Sequence, residues 1–279
     1  MDGLDELPDP VRSLLLSRGE TPLEIHDVTV RAAVANKRTY RLVFEGGRQA
    51  KARLLMGSDH AARWGDLRQK VGQQPFLSSL LSQAGTAVLE EWVEGEVLPQ
   101  ANPPVSLLQE VGAVLARIHQ TEVPEQRLED VGVEAAKLRS LLSALTRFSA
   151  ITQDEADQLD IELSGRTPTL MHVGLAHHDF CGENLVLHAS RGVVSIDHEW
   201  MRVGSLDFDV ARAIRQWSLT SEERETFLRG YAAAGGPVNL ANLEFWLLAN
   251  DIFASEVRVR RGWGDAPATV LRLKSWIDR

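Results

Sequence analysis

Residues 175–200, LAHHDFCGENLVLHASRGVVSIDHEW, decide the fold. Two β-type runs, ENLVLH at 183–188 and VVSID at 193–197, are joined by ASRG, the pattern of a hairpin. Asn184 stands five residues after Asp179, and Asp197 thirteen after Asn184, so the hairpin folds Asp197 back beside Asn184 and Asp179. A carboxylate and an amide facing a second carboxylate make an all-oxygen site. That is the ligand type hard Mg2+ takes when it also holds phosphate oxygens. Asp179 is then left to accept a proton from, or orient, an attacking hydroxyl.

Upstream of this stretch the texture changes twice. VRSLLLSRG at 11–19 is a short helical pattern closed by Gly19. IHDVTV, TYRLVF and RQAKARLL, between Ile25 and Leu55, predict three antiparallel strands, with Glu45 to Gly47 as a hairpin turn. Ser58 and Asp59 are helix-start residues before HAARWGDLRQKV, and AVLEEWV predicts a further strand that ends at Gly95. Beyond a Pro-rich stretch at 94–104 the period becomes helical. Leu107, Leu108, Val111, Val114, Leu115 and Ile118 form one apolar stripe, and VEAAKLRSLLSALTRF and EADQLDIEL repeat the pattern. Helix-type sequence resumes at Asp207. The expectation is a β-rich domain over 1–95, a hinge, and a helical domain over 96–279, an α+β fold in two lobes.

Composition narrows the function. In 279 residues, 44% are hydrophobic and 25% charged, which is the balance of a folded globular chain. Lys plus Arg number 30 against 39 Asp plus Glu, and the resulting charge of -9 repels polyanions, so a nucleic-acid partner is not expected. Cys181 is the single cysteine, which excludes an internal disulfide. The start, MDGLDELPDP, has no basic and apolar leader pattern, and no run approaches the roughly 18 apolar residues of a membrane span. These features predict a cytoplasmic protein without a membrane partner. They carry no signature of oligomeric state.

The decisive segment resembles the catalytic core of the aminoglycoside phosphotransferase and choline kinase group, which shares the protein-kinase-like fold. HHDFCGEN is similar to that group's H-x-D-x-x-x-x-N loop, and SIDHE to its hydrophobic-Asp-x-Glu strand end. The resemblance covers residues 25 to 235 and is strongest over 175–212. It implies ATP as donor, Mg2+ as cofactor, and a small-molecule hydroxyl acceptor of aminoglycoside, amino-alcohol or sugar type. Asp179 becomes the catalytic carboxylate, and Asn184 and Asp197 the metal ligands. His177 is implied as structural support, and Asp209 of LDFDVAR as a brace that holds the loop through backbone hydrogen bonds. Glu91, Trp92 and Val93 correspond to the hinge that offers backbone groups to the adenine edge. Glu199 and His178 are candidates for substrate binding.

By the same analogy the strand RQAKARLL carries the basic residue that grips phosphates. Lys51 and Arg53 share one face, since side chains two apart on a strand point the same way. Lys51 is favoured, with Arg53 left open. The acidic partner is expected at Asp66 on the next helix in preference to Asp59, although the group has Glu there. The loop 31–39, RAAVANKRT, which would cover the nucleotide, contains no glycine.

Other readings attach to the same residues. Five histidines cluster between His172 and His198, but with no cysteine pair and no H-x-x-E-H helix spacing they do not read as a zinc site. Cys181 reads as a passive thiol. Trp200, Trp217, Trp246 and Trp263 read as core. A few could instead wall an acceptor pocket, since aromatic faces with Glu244, Asp251 and Glu256 would suit a cation. HHD also opens the pattern of HD-type metal phosphohydrolases, which places that pair on a helix. A catalytically inactive kinase-like binding protein is the second alternative.

Overall fold

Period-two sequence near the beginning and period-3.6 sequence later become strands and helices in a computed structural model that describes residues 4–29, 38–99 and 104–277. Helix α1 (Asp9–Ser17) precedes strands β1 (Glu24–Asp27), β2 (Thr39–Val43) and β3 (Gln49–Leu54). Helix α2 (Ser58–Val71) leads to β4 (Leu80–Ala84), β5 (Ala87–Glu91) and the short β6 (Glu96–Val97). Then come α3 (Val105–Gln120), β7 (Arg127–Asp130), α4 (Gly132–Arg147) and α5 (Gln153–Arg166). Strand β8 (Leu170–Ala176) is followed by the hairpin of β9 (Leu185–His188) and β10 (Gly192–Ser195). The last elements are β11 (Arg202–Ser205), α6 (Leu206–Trp217), α7 (Ser221–Ala233), α8 (Leu243–Arg261) and α9 (Ala266–Lys274). Of the loop expected to cover a nucleotide, residues 31–37 lie outside the described residues.

These elements form two compact units, Met1–Pro99 with Gly182–Arg202, and Gln100–Cys181 with Val203–Arg279. The expected division at 95/96 ran the boundary once, whereas the chain passes from unit to unit three times. Backbone pairing explains why the hairpin joins the N-terminal residues. Strand β6 lies antiparallel to β9, with Val97 opposite Val186, and the Ser78 N–H donates to the Ser195 carbonyl at 2.9 Å.

In the first unit a five-stranded antiparallel sheet has the order β1-β2-β3-β5-β4. Alternation along β3 and β5 sends Ala50, Ala52, Ala87 and Leu89 to one face, where α1 covers them with Val11, Leu14 and Leu15. Lys51, Arg53, Val88 and Glu90 take the other face. There α2 brings Ala61 and Trp64 against Val88. The basic residues of β3 thus lie on the helix α2 side of the sheet, and this is what positions the site.

In the second unit α8 is central, packing against α4, α6 and α9, and its buried residues face every direction. Helices α3 and α7 approach closely at two glycines. A Cβ on Gly112 would lie 2.0 Å from the Phe227 carbonyl oxygen, and one on Gly230 only 1.9 Å from that of Gln109. Strands β11, β8 and β7 form a small sheet from which the 177–181 loop emerges.

Candidate active site

Within the first unit, Asn184 and Asp197 stand at the end of the β9–β10 hairpin. Ser195 pairs with Leu185, and the Ile196 N–H donates to the Asn184 carbonyl at 2.9 Å, which carries the ladder one step further. Asn184 and Asp197 therefore stand at the same end of one hairpin, Asn184 buried in a 3-10 turn and Asp197 half-buried. Asp197 has left-handed backbone angles, φ 58° and ψ 58°, a costly conformation for a residue with a Cβ. Its turn is fixed from α2, where Trp64 Nε1 donates to the His198 carbonyl at 2.6 Å.

Two cations of β3 converge on that carboxylate. Lys51 Nζ lies 3.7 Å from Asp197 Oδ1, and Arg53 Nη1 donates to the same oxygen. Arg53 is buried, its Nε donates to Glu90 Oε2 at 2.9 Å, and Glu199 Oε2 lies 3.4 Å from its Nη1. Burial alone would lower the Arg53 pKa, but Glu90, Asp197 and Glu199 together hold the guanidinium firmly protonated. Arg68, buried on α2 with its Nη2 donating to the Ser78 carbonyl at 2.6 Å, is pulled the other way, chiefly by burial.

The acidic partner expected at Asp66 is not found there. Helix α2 buries Ala61, Trp64, Gly65, Arg68 and Val71, so Asp66 falls on the exposed side, where no described residue pairs with it. Glu90, from the neighbouring strand, supplies the carboxylate and gives it to Arg53. Strand spacing could have suggested this, since Glu90 stands directly opposite Lys51 in the ladder. The hinge residues are held by other means. Glu91 binds Arg191 at 2.5 Å and accepts from the Ser79 N–H at 3.0 Å, Trp92 lies under the Arg41 guanidinium, and Val93 packs with Val186, Val194 and Ile196.

Within the second unit, the loop after β8 carries His177, His178 and Asp179. Asp209, fully buried at the start of α6, accepts from the His177 N–H at 2.6 Å, the His178 N–H at 2.8 Å and His119 Nε2 at 3.1 Å. Burial alone would push its carboxyl up. The His119 hydrogen bond and the electrostatic influence of the His178, His119 and His177 side chains outweigh that and hold it well below the ordinary carboxylate range. His119 is set in turn by the Tyr231 hydroxyl, 2.8 Å from its Nδ1. His177 is buried with its ring edge-on to Phe180, its Nδ1 accepting from the Asp179 N–H, and His178 has φ 63°. Asp179 Oδ1 accepts from Gln216 Nε2 at 2.7 Å, and Arg212 lies 3.9 Å away. His119, Arg212 and Gln216 have no counterpart among the residues singled out from the sequence. The i, i+3, i+7 spacing of 209, 212 and 216 on one helix face was the available signal.

The acids that the alternative acceptor-pocket reading would use are engaged elsewhere. Asp251 is fully buried and takes Arg215 at 2.6 Å, Arg272 at 2.8 Å and the Trp276 N–H at 2.9 Å, while Glu256 pairs with Arg260 and Glu244 with Arg224. Trp217 and Trp246 are core, whereas Trp200 and Trp263 are partly exposed. The 177–181 segment links a strand to a 3-10 turn, not the helix an HD-type phosphohydrolase requires. Among the described residues no group of three or more His, Cys, Asp or Glu stands in metal-holding geometry, and no helix is long and apolar enough to cross a membrane. Asn184 and Asp197 are hard oxygen donors, the chemistry that fits Mg2+ when phosphate oxygens complete the shell.

Residues 73–246 match the sequence profile of the phosphotransferase enzyme family. The chain belongs to that family. No curated protein matches the phosphotransferase by sequence. Solved structures share its kinase-like α+β fold. An ethanolamine kinase of Plasmodium vivax superposes with a TM-score of 0.65 at 12% identity, over 98% of this chain and 84% of its own. A choline kinase from Streptococcus pneumoniae gives 0.64 at 16% identity, over 95% and 96%, and has also been solved with AMP. A macrolide 2'-phosphotransferase from Brachybacterium faecium gives 0.62 at 16% identity, over 94% and 97%.

Proposed function

We propose that this phosphotransferase moves the γ-phosphoryl group of ATP, with Mg2+, to a hydroxyl of a small molecule. The observation that carries the reading is the hairpin end that sets Asn184 beside Asp197 while β3 brings Lys51 to the same carboxylate. Asn184 and Asp197 are the residues that would hold the metal, whose charge, when bound, offsets that of the phosphate oxygens. Lys51 is assigned to the α- and β-phosphates. It has a long contact to Asp197, whereas Arg53 is buried and answered by Glu90, Asp197 and Glu199. Residues 91–93 offer backbone groups to the adenine edge. Asp179 orients the acceptor hydroxyl and takes its proton as the new O–P bond forms and the bond from the γ-phosphorus to the bridging oxygen breaks, releasing ADP. Glu199, buried against Arg53, is assigned to the cation cluster and not to the acceptor. His178 keeps its assignment near the acceptor. Structural relatives that are an ethanolamine kinase, a choline kinase and a macrolide 2'-phosphotransferase favour a hydroxyl on an amine-bearing molecule.

ADP release from MgATP tests the reading, with choline, ethanolamine, an aminoglycoside and a simple sugar as acceptors. Asp179→Asn and Asp197→Asn are expected to fold, keep the wild-type melting midpoint, and lose turnover by about a hundredfold or more. Turnover at the wild-type rate by either variant would overturn its assignment.

A further inference from the structure

Helix α6 and the loop after β8 run in matched register. Asp209 takes the N–H groups of His177 and His178. Arg212, one turn on, stands 3.9 Å from Asp179 Oδ1, and Gln216, another turn on, donates to that oxygen at 2.7 Å. Trp217 Nε1 closes the series on the Phe180 carbonyl at 3.0 Å. Asp209 and Trp217 bind backbone atoms, so they fix where the loop lies but not the torsions of the Asp179 side chain. Gln216 reaches the carboxylate itself. At 3.9 Å the Arg212 contact is too long for a hydrogen bond and contributes charge without direction.

We propose that Gln216 is a positioning residue, whose amide sets the orientation of the Asp179 carboxylate towards the acceptor hydroxyl. This rests on the phosphotransferase reading above, in which Asp179 handles that hydroxyl. A neutral amide suits the task. It donates one directed hydrogen bond and leaves the carboxylate its charge, where an ammonium in the same place would compete with the hydroxyl for it.

The test uses the full chain with MgATP, the same acceptors, and water as the default acceptor. Gln216→Leu removes the donor at similar size, and Gln216→Glu sets a carboxylate against Asp179. The expected result is a kcat lowered about tenfold to a hundredfold, more in Gln216→Glu, with the KM for ATP and the melting midpoint at wild-type values. The double variant with Asp179→Asn is expected to be no slower than Asp179→Asn alone, because Gln216 acts through that side chain. Wild-type kcat in Gln216→Leu overturns the proposal. So does a loss that comes with a lowered midpoint and adds to that of Asp179→Asn, which marks a structural role. If Asp179→Asn itself turns over normally, or the wild-type chain releases no ADP, the phosphotransferase reading falls first and takes this one with it. If Asp179→Asn is inactive and Gln216→Leu is not, only the role of Gln216 is lost.

Discussion

Asp209 gathers three donors on two oxygens, Oδ1 from the His178 N–H and Oδ2 from the His177 N–H and His119. Removing it leaves two buried backbone N–H groups and a buried histidine without their acceptor, so Asp209→Ala is expected to cost about 3–5 kcal/mol in urea unfolding. Its folded carboxyl titrates below the unfolded one, so its stabilisation is complete above the unfolded pKa of about 4 and is lost as the pH falls towards the folded value. The gap between wild type and variant should therefore be constant at neutral pH and narrow in acid, and a gap that widened in acid would contradict the assignment. Among the candidate site residues, Asn184 and Asp197 were legible as neighbours because a hairpin is a local object whose register follows from its own alternation. Asp209 came into view through the family resemblance. Glu90 and Asp66 were exchanged because a period shows which residues share a face, while only the packed neighbour decides which face is covered.

At the scale of elements, α3 and α7 meet backbone to backbone. Because the obstructing atoms at Gly230 are backbone atoms of Gln109, no rotamer change relieves a methyl group there. Gly230→Ala is expected to destabilise by about 1–3 kcal/mol or more, read as a lowered urea midpoint with the slope preserved, whereas Gly165→Ala, with open space around it, should be neutral or stabilising. The long amphipathic helices and the β1–β2–β3 meander follow directly from their hydrophobic periods. The strands β7 and β11 do not, being four residues each and largely polar, and β8 is an apolar run with no alternation. Such segments are strands because a partner strand is present, and the partner of β8 lies some forty residues earlier in β7.

For the whole molecule, the interleaving of the two units is the governing fact. A chain cut after Pro99 contains the entire five-stranded sheet but not the hairpin that covers Val93 and pairs β6. The fragment Met1–Pro99 is expected to lack a cooperative thermal transition, and to gain one when a peptide of residues 182–202 is supplied. A sharp transition in the fragment alone would show that the hairpin is dispensable. The same interleaving imposes an order on synthesis. At about 5–20 residues per second, a ribosome needs roughly 5–20 s to travel from Pro99 to Arg202. Throughout that interval Val93 and strand β6 wait without the hairpin that packs on the one and pairs with the other. This enzyme therefore completes its first unit only when residue 202 of its 279 has been made, and the cell has to shield that half-built surface from neighbouring polypeptides in the meantime.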